Sequence, residues 1–303
     1  MKFTFFTRLL FIITTFSLIS ISCSKDGDDD GDITDPTEEQ LPTNKQDAET
    51  KIQGKWDVNA SGEIRSVEFL DGDTYVLEVT SSSSLASRKA MLSARATLFS
   101  VTGGFKSETG GNSSTQKIYG KFSVSTDGKT ITLDDIARIT ISGISEKSFS
   151  FTITFTENNR EQSVSATIVA PVATSQKTQL LVGNWGFSSW MYYEPADVRV
   201  LESKGFKPQD EGFTFTATGT MIMRYINFEQ SSSDDPETGL PSEVITNISL
   251  DADVYSWEWK DSQQTVVKVS RNGETFEITI ENLTQSRLTA RLDNDNNWVL
   301  ESL

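Results

Sequence analysis

Apolar side chains that recur at every second position constrain the fold of this chain more than any other feature. In the segment 149–155, Phe and Ile occupy the odd positions while Ser and Thr occupy the even positions. Successive side chains of a β-strand point to opposite faces, so one face of this segment packs on a core and the other meets water. Shorter runs of the same kind are joined by turn sequences at 71–73, 126–129 and 217–219, the first of which is Asp71-Gly72-Asp73. The turn at 126–129 is followed by a predicted strand at 130–133. The pattern predicts an all-β chain.

Two short segments with the same spacing each open a long series of such strands. The first has an aliphatic residue, Gly54 and Trp56 at alternate positions, and the second repeats this with Gly183 and Trp185. Further along, residues 119–122 align with 255–258, and 139–145 align with 278–284. The order of turns and strands agrees throughout, so we interpret the chain as a divergent duplication.

Each half contains around eight short strands, separated by turn residues, with very little helix. This arrangement predicts two consecutive antiparallel β-sandwiches or β-barrels, with domain 1 at 51–173 and domain 2 at 174–303. In domain 2 we expect an irregular stretch with Pro195 and Pro208, and then a polar loop at 231–241. Separate strands are expected at 244–250 and 254–260, and a later one at 287–292. In domain 1, residues 81–96 interrupt the strands and predict a short amphipathic helix, either a lid or an ordinary surface loop.

Composition excludes several classes of function. The 303 residues carry a net charge of −16, which repels phosphate backbones and argues against nucleic acid as a partner. The chain contains no histidine and a single cysteine, Cys23, so the commonest general base, zinc ligands and internal disulfides are absent. We therefore expect no enzyme activity, no metal and no cofactor.

The first 22 residues have the order of a signal peptide. A short basic start with Lys2 and Arg8 precedes an apolar run from residue 9 to residue 21, and small residues then lead to Cys23. The run is too short to cross a bilayer comfortably, and the segment that follows is acidic. We expect residues 1–22 to be removed; a transmembrane anchor is the alternative.

The segment Ser20-Ile21-Ser22-Cys23 resembles a bacterial lipoprotein processing site, although Ser20 stands where a large aliphatic residue is usual. The resemblance implies that Cys23 becomes the acylated first residue of the mature protein and attaches it to a membrane. The acidic run after it, 24–30, is similar to the surface-export signal of Bacteroidota lipoproteins. The implied location is the outer membrane, on the cell surface.

Residues 23–50 contain ten acidic and two basic side chains and few apolar ones, which predicts a disordered acidic tether. Whether this stretch acts as an export signal or only as a spacer stays open. Asp26, Asp28, Asp30 and Gly31 match part of a calcium loop, but the twelfth position is Thr37 and no helical pattern flanks it. We interpret the stretch as a tether.

The repeated Gly-x-Trp motif resembles the start of the first strand in lipocalin-like barrels of Bacteroidota lipoproteins. The match covers Gly54 with Trp56 and Gly183 with Trp185, while the later lipocalin motifs are absent. The resemblance implies two tandem lipocalin-like β-barrels, in which the glycine lets the backbone pass the barrel end and the tryptophan plugs it.

Tyr255, Trp257 and Trp259 alternate on one face of a predicted strand. Such a row can stack on sugar rings or line an apolar cavity, and it can equally fill a barrel interior. The Asn- and Asp-rich segment 293–297 is read as a turn rather than a calcium loop. The Ser-x-x-Lys pattern at 114–117 lacks its partner motifs and is a chance match.

The architecture and the resemblance together imply a surface lipoprotein that binds a small apolar or glycan ligand without catalysis. The alternative is a structural or accessory subunit of an outer-membrane protein assembly that takes no small ligand. The ligand, the protein partner and the oligomeric state are not encoded in any recognisable motif.

Overall fold

The strands of this chain close into two eight-stranded antiparallel β-barrels, one after the other, as a computed structural model shows. The structure describes residues 38–59, 62–80, 115–134, 136–234, 241–271, 273–292 and 296–303. The predicted all-β fold with two consecutive barrels is therefore confirmed. Cys23, the calcium-like segment at 26–37, residues 293–295 and the predicted helix at 81–96 lie outside the described residues.

Barrel 1 is an up-and-down barrel in which each strand pairs with its neighbour in sequence, and β1 pairs with β8 to close it. The predicted turns at 71–73 and 126–129 join β2 to β3 and β4 to β5. The strands are β1 (Gly54–Val58), β2 (Ile64–Leu70), β3 (Thr74–Thr80), β4 (Thr115–Val124), β5 (Thr130–Leu133), β6 (Ala137–Ile144), β7 (Ser148–Phe155) and β8 (Glu161–Ile168).

Barrel 2 repeats this order, and β9 pairs with both β10 and β16 to close it. Two of its strands, β11 and β12, are much longer than their counterparts in barrel 1. The strands are β9 (Gly183–Phe187), β10 (Gly212–Phe215), β11 (Thr220–Asp234), β12 (Pro241–Trp259), β13 (Val266–Arg271), β14 (Glu274–Leu283), β15 (Arg287–Leu292) and β16 (Asn296–Ser302).

A short helix precedes each barrel and closes one end of it. Helix α1 (Lys45–Lys51) is capped by Asn44, and helix α2 (Gln176–Leu181) is capped by Ser175, through side-chain oxygens that accept backbone N–H groups. Buried Ala48 and Leu181 belong to the respective cores. Each helix leads directly into the first strand of its barrel.

The Gly-x-Trp motif has the same geometry in both barrels. Gly54 and Gly183 have φ angles of +106° and +144°, which side-chain-bearing residues rarely adopt. Trp56 Nε1 donates to the carbonyl of Ile52 at 2.7 Å, and Trp185 Nε1 donates to the carbonyl of Leu181 at 2.8 Å. Each indole is buried and bonded to the last turn of the helix behind it.

The predicted internal alignment pairs the correct strands. Residues 139–145 and 278–284 lie in β6 and β14, and both strands have a bulge at the aligned position, before Gly143 and Asn282. Residues 119–122 and 255–258 lie in β4 and β12, but there the alignment is displaced by one residue. Phe122 points into its barrel while the aligned Glu258 is exposed, since side chains alternate along a strand.

Three expectations need correction. Residues 38–50 pack on barrel 1 rather than extending the tether, because Gln40 pairs with Ile144 and helix α1 begins at Lys45. The predicted strands at 244–250 and 254–260 are one continuous strand, β12, whose acidic residues between them do not form a turn. A third helix, α3 (Pro195–Ser203), lies in the segment expected to be irregular, with Pro at its first position.

The two barrels have separate hydrophobic cores that touch through a small third cluster. Val76 of β3 packs with Ile222 of β11 and Val254 of β12. Beside it, the hydroxyls of Thr218 and Thr220 donate to the carboxyl group of Glu68, which is 1% exposed. The barrels therefore share a partly polar joint while each keeps its own core.

A second polar contact extends this joint. Lys117 Nζ of β4 donates to Ser256 Oγ of β12 at 2.6 Å. Burial lowers the pKa of Lys117, and the neighbouring Glu78 opposes this effect.

In the described ranges, no helix has both the length and the apolar character that crossing a membrane requires.

Candidate functional site

The interior of barrel 1 is filled by apolar side chains. Trp56 packs edge-on against Phe149, and Phe69 packs edge-on against Phe122. The other interior residues share an exposure of 6% or less and include Ile64, Val67, Leu77, Ile118, Ile131, Leu133, Ile139, Phe151, Ile153, Phe155 and Val164. Such packing leaves the centre of this barrel as a hydrophobic core rather than a ligand cavity.

The predicted aromatic row on β12 runs through the interior of barrel 2. Trp257 is 2% exposed and donates from Nε1 to the carbonyl of Thr216 at 3.1 Å. Trp259 lies at the end closed by helix α2, where its Nε1 donates to Thr178 Oγ1 at 2.9 Å. Tyr255 lies at the opposite end, which we call the far end. The three rings are thus parts of the core, and Tyr255 also lies beside the charged side chains of Asp253 and Arg271.

Polar and aromatic side chains meet at the far end on the inner side of the barrel wall. We call this group, which consists of Tyr225, Asp251, Asp253, Tyr255 and Arg271, the far-end cluster. Arg271 Nη1 lies 2.8 Å from Asp253 Oδ1, and its guanidinium carbon lies 5.4 Å from the centre of the Tyr255 ring. The cluster combines charged groups with aromatic faces.

The positions follow from strand alternation. On β11, the side chains of Met221 and Tyr225 point inward. On β12, those of Trp257, Asp253 and Asp251 point inward in the same way. Arg271 ends β13 on the same face as Val269. Three consecutive strands thereby bring their polar side chains to one place.

Two further residues extend the cluster. Asn227 Nδ2 donates to Asp251 Oδ2 at 3.0 Å, which fixes that carboxyl group on the inner face. Phe276 of β14 packs edge-on against Tyr255, with ring centres 5.5 Å apart. The site therefore has an aromatic side, a carboxyl side and one guanidinium between them.

Burial and charge set the protonation of the cluster. Burial, followed by the neighbouring Asp253, raises the pKa of Tyr255 to about 12. The same two causes raise the pKa of Tyr225. Burial alone would lower the pKa of Arg271, but Asp253 and Tyr255 outweigh it and raise the pKa. At neutral pH the site offers two phenol hydroxyls and a cation beside two acidic side chains.

The remainder of the far end is covered by the segment between β9 and β10. Trp298 Nε1 donates to the hydroxyl of Tyr192 at 2.6 Å, and the Tyr192 ring packs edge-on against Phe187. Tyr192 remains 41% exposed. The far end is thus bordered by aromatic side chains on one side and by the polar cluster on the other.

Beyond the barrel, β11 and β12 continue as a two-stranded ribbon, residues 225–234 and 241–255. Helix α3 supports one face of it through a separate apolar cluster in which Leu201, Ile226 and Phe228 are buried. Tyr193 donates to Glu211 and to the carbonyl of Ile226, and the Ile226 N–H donates to Glu211 at 3.0 Å. The ribbon is therefore a supported extension of the barrel wall.

A groove of about 360 Å³ lies on the outer face of barrel 1. Its polar lining consists of Asn59 and the hydroxyls of Ser142, Ser150, Thr152, Ser163 and Ser165. This is the hydroxylated face that the alternation at 149–155 predicted. Over the part of the chain that the structure describes, no three acidic, cysteine or histidine side chains come together as a metal site.

Sequence reasoning found one of the five residues in the far-end cluster, Tyr255. Tyr225 and Arg271 were missed because the register of their strands against β12 is not visible from one sequence. Asp251 and Asp253 were missed because they fall between the two strands that the sequence predicts there. The available signal was the break in apolar alternation at Asp251 and Asp253, which is unusual inside a strand.

The comparisons with known proteins add no relative to this description. No family model matches the chain, and neither a curated protein nor a solved structure does so. The candidate site therefore stands on the geometry of the chain itself.

Proposed function

We propose that this chain is a non-catalytic binding protein that takes a hydroxyl-rich ligand, such as a glycan, at the far end of barrel 2. The observation that carries the proposal is the far-end cluster itself. Polar residues gathered over an apolar interior are common in binding sites, where a few placed polar groups set ligand orientation. The cluster lies in barrel 2, so the proposal concerns the second barrel.

The chemistry of the cluster favours a glycan over an apolar ligand. Neighbouring sugar hydroxyls can donate to Asp251 and Asp253 and accept from Arg271, while the faces of Tyr225 and Tyr255 suit the apolar face of a sugar ring. An apolar ligand at the same place would bury these groups without replacing their hydrogen bonds to water, which is costly.

A glycan microarray probed with the full chain tests this proposal. We expect binding to a subset of neutral oligosaccharides, and loss of that binding in Asp251→Asn and in Tyr225→Phe. The matched control is Glu258→Gln, which removes a carboxylate from the exposed outer face of the same strand β12. Equal binding by Asp251→Asn and the control, or no glycan bound by the parent chain, would contradict the site.

Membrane attachment through Cys23 is part of the same proposal and is supported by the sequence alone. Removal of the signal peptide and acylation of Cys23 would tether the barrels to the outer membrane, on the cell surface. We expect Cys23→Ala to move the protein from the membrane fraction to the soluble fraction. Continued residence in the membrane fraction would refute this anchor without affecting the ligand site.

An accessory subunit without a small ligand is the second candidate, and the filled core of barrel 1 favours it. Such a barrel offers its outer surface, including the hydroxylated groove, rather than its interior. A specific membrane protein recovered after cross-linking in cells, with a parent chain that binds no glycan, would support this function. Glycan binding that depends on Asp251 would favour the first proposal.

A further inference from the structure

We infer that the ribbon edge formed by residues 250–254 of β12 is a strand-addition site for an extended peptide of a partner protein, with basic and apolar residues in alternation. This site adjoins the far-end cluster and shares Asp251 and Asp253 with it, but it does not depend on a glycan being bound there. Its evidence is the direction of the backbone groups along the ribbon.

The hydrogen bonds at the base of the ribbon fix this direction. The Trp257 N–H donates to the carbonyl of Gly219 before β11, and the Lys260 N–H donates to Val266 of β13. Backbone groups alternate sides along a strand, so odd residues of β12 face β11 and even residues face β13. Since β13 pairs only with 256–259, Leu250 and Ala252 point their N–H and C=O groups to a side on which no described residue pairs with them.

The two edges of the ribbon differ in whether side chains bond their outward backbone groups. On the β11 edge, Ile226 has the corresponding position, and its N–H and C=O are bonded by the side chains of Glu211 and Tyr193. On the β12 edge, the structure shows no such side chain at Leu250 or Ala252 in the ranges that it describes. Exposed strand edges are usually blocked, so an edge left open beside a blocked one indicates a place for pairing.

The ends of the open edge limit the length of the added strand. At one end β13 turns into β14 between Arg271 and Glu274. At the other end Asn247 has φ +52°, and the pairing of β12 with β11 shifts between Asn227 and Glu229, which marks a bulge. Bulges interrupt regular pairing, so the edge accommodates about five or six residues.

The two faces of the edge determine the residues that an added strand requires. Asp251 and Asp253 lie on the inner face. Leu250, which is 50% exposed, lies on the outer face, where the neighbouring Ala252 packs on the apolar cluster between the barrels. Directly opposed residues on neighbouring strands interact through their side chains. Asp253 already pairs with Arg271, whereas Asp251, within the described ranges, accepts only the uncharged amide of Asn227. The added strand therefore favours basic residues on the inner face, beside Asp251, and apolar residues on the outer face, beside Leu250.

A second copy of this chain fits the edge poorly. Pairing β12 with itself would bring the acidic faces of two ribbons together, within chains of net charge −16. A basic partner strand removes this repulsion and adds opposite charges across the new pair. The occupant is therefore another protein, whose segment carries the alternating pattern.

The test uses a fluorescently labelled hexapeptide, acetyl-Lys-Val-Lys-Val-Lys-Val-amide. Fluorescence anisotropy measures its binding to the full chain. In an antiparallel pair, the residues directly opposite Leu250 and Ala252 point their N–H groups to the edge and their side chains to the outer face. The apolar valines take these positions, so the valine N–H groups contact the edge. N-methylation of the valines should abolish binding, whereas N-methylation of the lysines should preserve it. The same peptide with Glu in place of Lys should bind at least tenfold more weakly.

Variants of the chain complete the test. Leu250→Pro removes one N–H from the open edge, where proline is tolerated, and should weaken the hexapeptide about three- to tenfold; Leu250→Val is the matched control. The amides of Leu250 and Ala252 should exchange rapidly with deuterated water and slow down when the hexapeptide is added. Equal binding of the two methylated peptides, or amides protected before addition, would overturn the inference, the latter because the chain or a second copy already covers the edge.

Discussion

Barrel 1 and barrel 2 have the same strand order but different far ends. In barrel 1, a short connection at 59–63 joins the first two strands, and the interior side chains are apolar. In barrel 2, the equivalent connection is residues 188–211 and contains helix α3, and the third and fourth strands continue into the ribbon. The helix-closed ends, by contrast, match in the tryptophan, the glycine and the helix cap.

This difference separates the requirements of the fold from those of the proposed site. The helix-closed end has the same structure in both barrels because one end of each barrel must be covered, and a short helix with a buried tryptophan covers it in both. The far end differs between the two barrels because paired strands can be longer there, and inserted segments can pack on it, without disturbing the core. A change of function is therefore easiest at the far end of barrel 2.

The largest expected effect tests the equivalence of the closed ends. Trp56→Ala and Trp185→Ala each remove a buried indole, and we expect each to lower the free energy of unfolding of its barrel by about 3–5 kcal/mol. Denaturant unfolding of each variant measures the loss. Similar values would support a duplicated structural role for the two residues.

Phenylalanine variants refine this comparison. Trp56→Phe and Trp185→Phe keep most of the ring but remove the N–H that bonds the carbonyl of Ile52 or Leu181. We expect each to cost about 1–3 kcal/mol, because a buried carbonyl loses its partner. A large loss in one barrel and none in the other would break the proposed equivalence.

A smaller effect is expected where the two barrels meet. Glu68→Ala leaves the hydroxyls of Thr218 and Thr220 without their acceptor, and should weaken the coupling between the barrels by about 2 kcal/mol. Trp56 is the one tryptophan of barrel 1 among six in the chain, so tryptophan fluorescence reports mainly on barrel 2. Far-ultraviolet circular dichroism reports on both barrels.

The readout is the separation of these two signals during unfolding. In the parent chain we expect the fluorescence and dichroism transitions to coincide, and in Glu68→Ala we expect them to separate. Glu161→Ala, which removes an exposed carboxylate from β8, is the matched control. Coincident transitions in Glu68→Ala would mean that the apolar contact of Val76 is sufficient for coupling.

Much of this fold could be predicted from local patterns. β5 and β15 were predicted with their observed bounds, and the hairpins at 71–73 and 217–219 followed from turn residues. These elements depend on neighbours in sequence. The continuity of β12 could not be predicted in this way, because Asp251 and Asp253 interrupt the apolar pattern and only the pairing with β11 keeps them in a strand.

The candidate site could be predicted only in part for the same reason. Tyr255 stood out because it shares a strand face with two tryptophans. No motif in the sequence distinguishes Arg271 from other arginines. Its proximity to Asp253 depends on the register between β12 and β13. Helix α3 carried a usable signal in Pro195 followed by an acidic first turn, but its valines reduce helix propensity.

The smallest expected effect concerns a buried acid that supports the ribbon. Glu211 is 5% exposed, and burial raises its pKa above the usual 4.5, although Tyr193 and the Ile226 N–H oppose this. The folded protein therefore holds this proton more tightly than the unfolded chain does. The stability contributed by this group is fully present below pH 4.5 and is lost as the pH rises through the folded pKa.

Glu211→Gln removes this dependence while keeping an oxygen that can accept from Tyr193 and Ile226. We expect the difference in unfolding free energy, variant minus parent, to increase as the pH rises from 4 to 8. Glu63→Gln provides the comparison in barrel 1, because Glu63 also lies immediately before a second strand but pairs with Arg160 at the surface. A difference for Glu211→Gln that is constant with pH, or that decreases, would show that the ribbon support does not depend on a neutral Glu211. The far end of barrel 2 would then tolerate a buried charge that the matching position in barrel 1 neutralises with an arginine.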